Sequence, residues 1–202
     1  MIEEISFKNV LSFRDETLLS FEATADTSIE NAHVVRMPNG QRLLRMAIVF
    51  GANASGKSNL LLALEALYRF WLHNPSNMDH QSAGTRRLLG MEAAVYELTN
   101  RGSFLMIDEM DASLHPDLME YILKKFLLEQ NDSQMLITTH YDGLLSKIDD
   151  LIRKDNVWFT EKEASGTTRL YSLVEFKGLN KIPRIDRAYR NGLFGALPQI
   201  KD

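Results

Sequence analysis

The chain has 202 residues, 45% of them hydrophobic, enough for one sizeable core or for a large and a small lobe. A net charge of −4 excludes a global basic field for nucleic acid and leaves only a local patch. The absence of cysteine excludes disulfides and thiolate metal sites, and it suits a reducing cytoplasm. The opening "MIEEISFKNV" carries acids where a secretory signal would be basic, and no long apolar run follows. Nowhere do 18 apolar residues run together, so no membrane span is expected. The expectation is a soluble, cytoplasmic α/β chain.

In chain order, "IEEISFKNV" and "ETLLSFEAT" read as two strands joined near Ser12–Glu16. "HVVRM", the turn "PNG" and "QRLLRMAIVF" read as a hairpin feeding a strand whose end, "MAIVF", is apolar enough to be covered on both faces. After Ser58, "NLLLALEALYRFWL" has helix formers and a broad apolar face. "HNPSNMDHQ" breaks that pattern, and "GTRRLLGMEAAVYELTN" returns to helical spacing. "SFLMID" and "SQMLITTH" read as short buried strands, separated by the periodic helix "HPDLMEYILKKFLLEQ" with proline in its first turn. "YDGLLSKIDDLI" reads as a helix or two short ones. "NVWFTEKEASGTTRLYSLVEF" reads as a hairpin turning at Ala164–Gly166. The last 25 or so residues are mildly basic and expected to be irregular; Arg184, Arg187 and Arg190 have the spacing of a basic helical face, and a solvated tail is the expected reading. Strands alternating with helices argue for a mostly parallel sheet, with an antiparallel portion from the N-terminal hairpins.

The chemistry concentrates in "FGANASGKSN", residues 50–59. Gly51, Gly56, Lys57 and Ser58 satisfy G-x-x-x-x-G-K-[ST] between a predicted strand and a predicted helix, the context a P-loop requires. Glycines let the backbone curl so that its N–H groups, from Asn53, Ala54, Ser55 and Gly56 onward to Asn59, face phosphate, and the helix start adds its dipole. Lys57 would meet the β- and γ-phosphates, and Ser58 would offer a hydroxyl to Mg²⁺. "FLMIDE" ends a strand in Asp108, suited to hold Mg²⁺, with Glu109 beside it to polarise water. His140 closes "MLITTH" at a strand end, where ligands of open α/β sheets sit.

The P-loop, "LMIDEMDASLHP" and "LITTH", in this order, resemble an ABC-type ATPase head, and "IEEISFKNVLSFRDETLLSF" is similar to the N-terminal strands of its SMC/RecF-like soluble branch. The nearest resemblance is to the AAA-family ATPases of bacterial abortive-infection and defence operons, relatives of the OLD-type ATPases, whose ends "AYRNGLFGALPQIKD" also resembles. That resemblance implies a P-loop NTPase fold with an ABC-ATPase-like mixed sheet, a parallel core and antiparallel N-terminal strands, flanked by helices. It implies that Asp108 and Glu109 are the Walker B aspartate and catalytic glutamate, that 112–116 is the D-loop region and that His140 is the switch histidine. In "QSAGTRRLLG", Ser82 and Gly84 take the serine and second-glycine places of the ABC signature, while Thr85 and Arg86 depart from the transporter pattern. Ser82 reads equally as an ordinary N-cap.

Only residues 59–81 separate Ser58 from the signature, where family members carry a helical lobe or arm and a Q-loop glutamine. Gln81 lies too close to the signature for that part. The chain is either naturally short or lacks an arm at 73–81, and the composition break favours the second. The division implied is one ATPase domain: 1–72 with the P-loop, 73–81, 82–175 with signature and Walker B, and the basic stretch 176–202. The expected activity is ATP hydrolysis with Mg²⁺ in a homodimer formed through ATP, driving an effector such as a nuclease or toxin, in anti-phage defence or a DNA-related process. A nucleotide-gated binding module with little turnover is the alternative, and a transporter ATPase subunit is disfavoured by the signature and the N-terminal stretch. No GTPase-type N-K-x-D occurs, which favours ATP over GTP.

Overall fold

A computed structural model describes residues 1–71, 104–112, 114–129 and 131–197, with side chains outside 66–71. Among the described residues the central sheet has five strands: β5 (Met46–Phe50), β6 (Phe104–Ile107), β7 (Gln134–Thr139), β8 (Val157–Lys162) and β9 (Thr168–Ser172). They lie in the order β6-β7-β5-β8-β9, parallel except for β9, which returns antiparallel from β8. The helices around it are α2 (Lys57–Trp71), α3 (Pro116–Leu128) and the short α4 (Ile185–Arg190). Among the described residues no helix is long and apolar enough to cross a membrane.

The pleat explains why "MAIVF" is apolar throughout. Met46, Ile48 and Phe50 face one core with Met135, Ile137 and Phe159, under α3 residues Ile122, Leu123 and Phe126. Ala47 and Val49 face the other, with Leu136 and Trp158, under Leu60, Ala63 and Leu64 of α2. All five positions of β5 and all six of β7 are buried, as strands covered on both faces require.

Three expectations are corrected. The N-terminal strands do not join the central sheet: β1 (Glu4–Phe7) pairs with β2 (Thr17–Ser20), and β3 (Val34–Arg36) with β4 (Arg42–Leu44), in two separate two-stranded sheets. Phe7, Phe13, Leu19 and Phe21 instead cover the α2-side core; the antiparallel member of the central sheet is β9. A short α1 (Glu30–His33), not foreseen, precedes β3. Second, of the stretch 141–152 read as a helix or two short ones, only Asp142–Lys147 is helical, as a 3₁₀ helix, and the Ser146 hydroxyl donates to the Gly143 carbonyl at 2.7 Å. Third, the described part of the C-terminal stretch, up to residue 197, is not a solvated tail. Ile185, Tyr189, Phe194 and Ala196 are buried, and Phe159 stacks on Tyr189 and Phe194 at centroid distances of 5.5 and 5.9 Å. Two of its arginines are committed to carboxylates: Arg184 to Asp186 at 2.7 Å and Arg190 to Asp142 at 2.6 Å.

Two buried arginines tie the periphery down. Arg45, at the break between β4 and β5, donates to the Phe126 and Leu127 carbonyls at the end of α3 and stacks over the Phe126 ring. Arg153, fully buried, forms a two-pronged pair with Asp155 at 2.8 and 2.7 Å and holds the Asp26 and Ser28 carbonyls.

His33 sits beside this network, 1% exposed, and its Nδ1 has no partner among the described residues. Burial, reinforced by the Arg153 charge, pulls its pKa from 6.5 down to about 4. Between those values the unfolded chain binds a proton that the folded chain refuses, so stability falls as pH drops through that window, by about 1.4 kcal/mol per unit of separation. His33→Leu is expected to flatten the loss of melting temperature between pH 6.5 and 4; an unchanged pH profile would show that His33 titrates normally.

Candidate functional site

Register brings the chemistry together. Phe50 is aligned with Thr139, so Gly51, the residue after β5, meets His140, the residue after β7. Ile107 is aligned with Ile137, so Asp108 arrives beside Thr138. Both junctions lie at the carboxyl ends of the parallel strands, the edge where open α/β sheets bind ligands.

The loop after β5 leads directly into α2. Gly56 has φ of 108° and Ala54 of 60°, so the backbone turns through left-handed positions before the helix. A side chain at Gly51 would run into Thr160 and Ser55, and one at Gly56 into Thr168, with the Thr168 Cγ2 only 2.6 Å from its Cβ. Asn53, Ala54 and Ser58 are exposed on the rim. Ser55 is buried: its hydroxyl lies 2.7 Å from the Thr160 hydroxyl, its N–H donates to the Ala52 carbonyl at 3.1 Å and its carbonyl accepts from the Thr168 hydroxyl at 3.2 Å. Asn59 donates its side-chain amide to the Ser12 hydroxyl at 2.8 Å, which ties α2 to the turn between β1 and β2.

Lys57 is buried and turned back under the loop. Its ammonium donates to the Gly51 and Ala52 carbonyls at 2.8 and 3.0 Å and lies 3.1 Å from His140 Nδ1. Burial pulls its pKa down, opposed by the negative charges of Glu109, Asp111 and Asp108. His140 Nδ1 is also 3.0 Å from the Gly51 carbonyl. The tautomer of His140 decides whether Nδ1 donates to the Gly51 carbonyl or accepts from Lys57, and Nε2 lies 3.7 Å from Glu109 Oε1.

The turn after β6 is held by the end of β7. The Thr138 hydroxyl donates to Asp108 Oδ1 at 2.5 Å and accepts the Glu109 N–H at 2.8 Å. Asp111 Oδ1 accepts from the Thr139 hydroxyl at 2.6 Å and from the His140 N–H at 3.0 Å. Glu109 has φ of 46°, an uncommon conformation for a residue with a side chain.

A cavity of about 240 Å³ is lined by Ala54, Gly56, Lys57, Ser58, Asn59, Glu109, His140 and Lys162. A larger one, about 670 Å³, opens on the other side of the loop beside Asp142, Tyr189 and Ala196. There the Ala196 carbonyl accepts the Ala52 N–H at 3.1 Å, so the C-terminal segment braces the loop directly. Among the described residues no group of three or more His, Asp or Glu could hold a metal alone. Ser58 and Asp108 are hard oxygen donors of the kind Mg²⁺ uses when phosphate completes its shell, so the residue types fit that ion.

Of the predicted site residues, the structure brings together the loop, Glu109 and His140, with Asp108 behind Glu109. Ser82, Gly84, Gln81, the helix expected after Gly84 and the proposed arm site at 73–81 lie outside the described residues. Sequence reading assigned no role to Asp111, Thr138, Thr139, Ser12, Thr160, Thr168 or Lys162. The one available signal was two threonines closing an otherwise apolar buried strand.

Residues 72–146 match the family model described as "AAA domain, putative AbiEii toxin, Type IV TA system". The match supports a P-loop AAA-type ATPase and nucleotide binding. It covers well under half of the chain and includes Asp108, Glu109, Asp111 and His140 but not the loop at 51–58. The match and the loop motif are therefore independent signs of one chemistry. No curated protein matches the chain in sequence.

The loop geometry is directly testable. Gly56→Ala puts a side chain at φ of 108° and against Thr168, at a cost on the order of 1–3 kcal/mol. It is expected to lower the melting temperature by several degrees in calorimetry; an unchanged value would mean that the loop adopts another path.

Proposed function

We propose that the chain binds Mg-ATP in the cavity between the 51–58 loop and the Glu109–His140 pair, and hydrolyses it. One observation carries this reading: strand register delivers a cationic glycine loop, the Asp108–Glu109 turn and a histidine to one edge, where Lys57, Ser58, Glu109 and His140 line one cavity. The loop N–H groups and the start of α2 receive phosphate oxygens. Lys57 now donates to neutral acceptors; a charged phosphate oxygen is a stronger one and draws the ammonium outward. Ser58 and Asp108 would hold Mg²⁺, which supplies charge neutralisation on the phosphates. Glu109 accepts a proton from, or orients, the attacking water, and His140 Nε2–H donates toward the γ-phosphate. The working form in this proposal is a homodimer, with Ser82 and Gly84 of one chain completing the partner's site. The assembly drives an effector, such as a nuclease or toxin, in defence against phage.

Lys57→Ala is expected to remove most Mg-ATP affinity in titration calorimetry, and unchanged affinity would sink the loop assignment. Glu109→Gln preserves shape but loses the charge, and turnover is expected to fall by roughly 100-fold or more with binding retained. Equal turnover in both forms would assign water positioning to another group.

The dimer is tested by light scattering. Glu109→Gln is expected to accumulate as a dimer only with Mg-ATP, and adding Ser82→Arg to abolish the dimer while monomers still bind ATP. A Glu109→Gln protein that stays monomeric at saturating Mg-ATP, or a dimer indifferent to Ser82→Arg, would overturn the signature role.

A further inference from the structure

We infer that Thr138 is a positioning residue that sets both members of the Asp108–Glu109 pair with one hydroxyl. The inference rests on the ATPase reading above. Thr138 is fully buried in β7, directly after the apolar Leu136 and Ile137. Valine has the same shape and would suit such a site better unless the hydroxyl is satisfied. Here it is used twice: its hydrogen goes to Asp108 Oδ1 at 2.5 Å, and a lone pair takes the Glu109 N–H at 2.8 Å. One donor and one acceptor contact are compatible on a single hydroxyl.

The two contacts act on different quantities. The first fixes the orientation of the Asp108 carboxylate. The second stabilises Glu109 at φ of 46°, a conformation that is unfavourable for a residue with a side chain when unsupported. An extended residue at 109 would send consecutive side chains to opposite faces. The left-handed residue breaks that alternation, and Glu109 comes within 3.7 Å of His140 at the same edge as Asp108. Thr139 repeats the device one residue on, holding Asp111, which in turn accepts the His140 N–H. The end of β7 is thus a two-threonine clamp on the 108–111 turn, and Thr138 is the half that touches the carboxylate pair.

The test compares Thr138→Val, which keeps the shape, with Thr138→Ser, which keeps the hydroxyl. Thr138→Val is expected to lower kcat by roughly tenfold or more, the effect of mispositioned catalytic groups, while Thr138→Ser stays within about threefold of wild type. Amide exchange at Glu109, followed by NMR without nucleotide, is expected to quicken by about tenfold in Thr138→Val but not in Thr138→Ser. Wild-type turnover in Thr138→Val, or equal loss in both variants, would reduce Thr138 to packing and overturn the inference. If wild type itself shows no turnover, the ATPase reading falls and the exchange measurement alone decides: unchanged Glu109 exchange in Thr138→Val overturns the positioning role. Should Thr138→Val fail to fold, Thr138→Ala carries the same comparison.

Discussion

The alignment of β5 with β7, and of β7 with β6, is the constraint from which the rest of the molecule follows. β5 and β7 are buried on both faces, so their register is locked by two cores at once. A slip of one residue would move Met46, Ile48 and Phe50 from the α3 side to the α2 side and expose both cores to mismatched partners. The same slip would carry Gly51 away from His140 and Asp108 away from Thr138. Core packing and site assembly are therefore one condition.

At the strand ends that condition supports backbone geometry that would be unfavourable alone. Ala54, Gly56 and Glu109 all have positive φ, and each lies where a loop must bring backbone or carboxylate to the cavity. Buried hydroxyls sustain these turns. Thr138 holds Glu109, Thr168 lies against Ser55 and Gly56, and Thr160 meets Ser55. Lys57 is the electrostatic counterpart: a buried ammonium facing three carboxylates, with its hydrogens on neutral acceptors. Charge is concentrated at the edge, and the lysine has a stronger acceptor to gain.

The C-terminal segment joins this arrangement through packing. Phe159 of β8 gathers Phe50, Tyr171, Tyr189 and Phe194 around one ring, with centroids 5.5–6.2 Å apart. The Tyr189 hydroxyl donates to the Ala196 carbonyl, which also takes the Ala52 N–H. An aromatic cluster in the core thereby reaches the start of the 51–58 loop.

The composition of "MAIVF" and "QMLITT" determined that these strands are buried, and the spacing around Gly56-Lys57-Ser58 determined that a glycine-containing turn precedes a helix; "FLMI", read the same way, forms a strand that is only partly buried. Those features are local, since a glycine in a left-handed turn and an apolar run announce themselves within ten residues. Asp108, Glu109 and His140 were legible as strand-end residues for the same reason. Only the tertiary structure decided that the N-terminal hairpins stand apart from the sheet and that the basic C-terminal stretch folds onto the loop. It also decided that Thr138 and Asp111 hold the turn. These outcomes depend on contacts between residues 28 to 144 positions apart, such as Thr138 with Asp108, Asp111 with His140 and Ala52 with Ala196. Such contacts are selected by the register of buried strands and by which aromatic rings fill one cluster, and no window along the chain contains both partners.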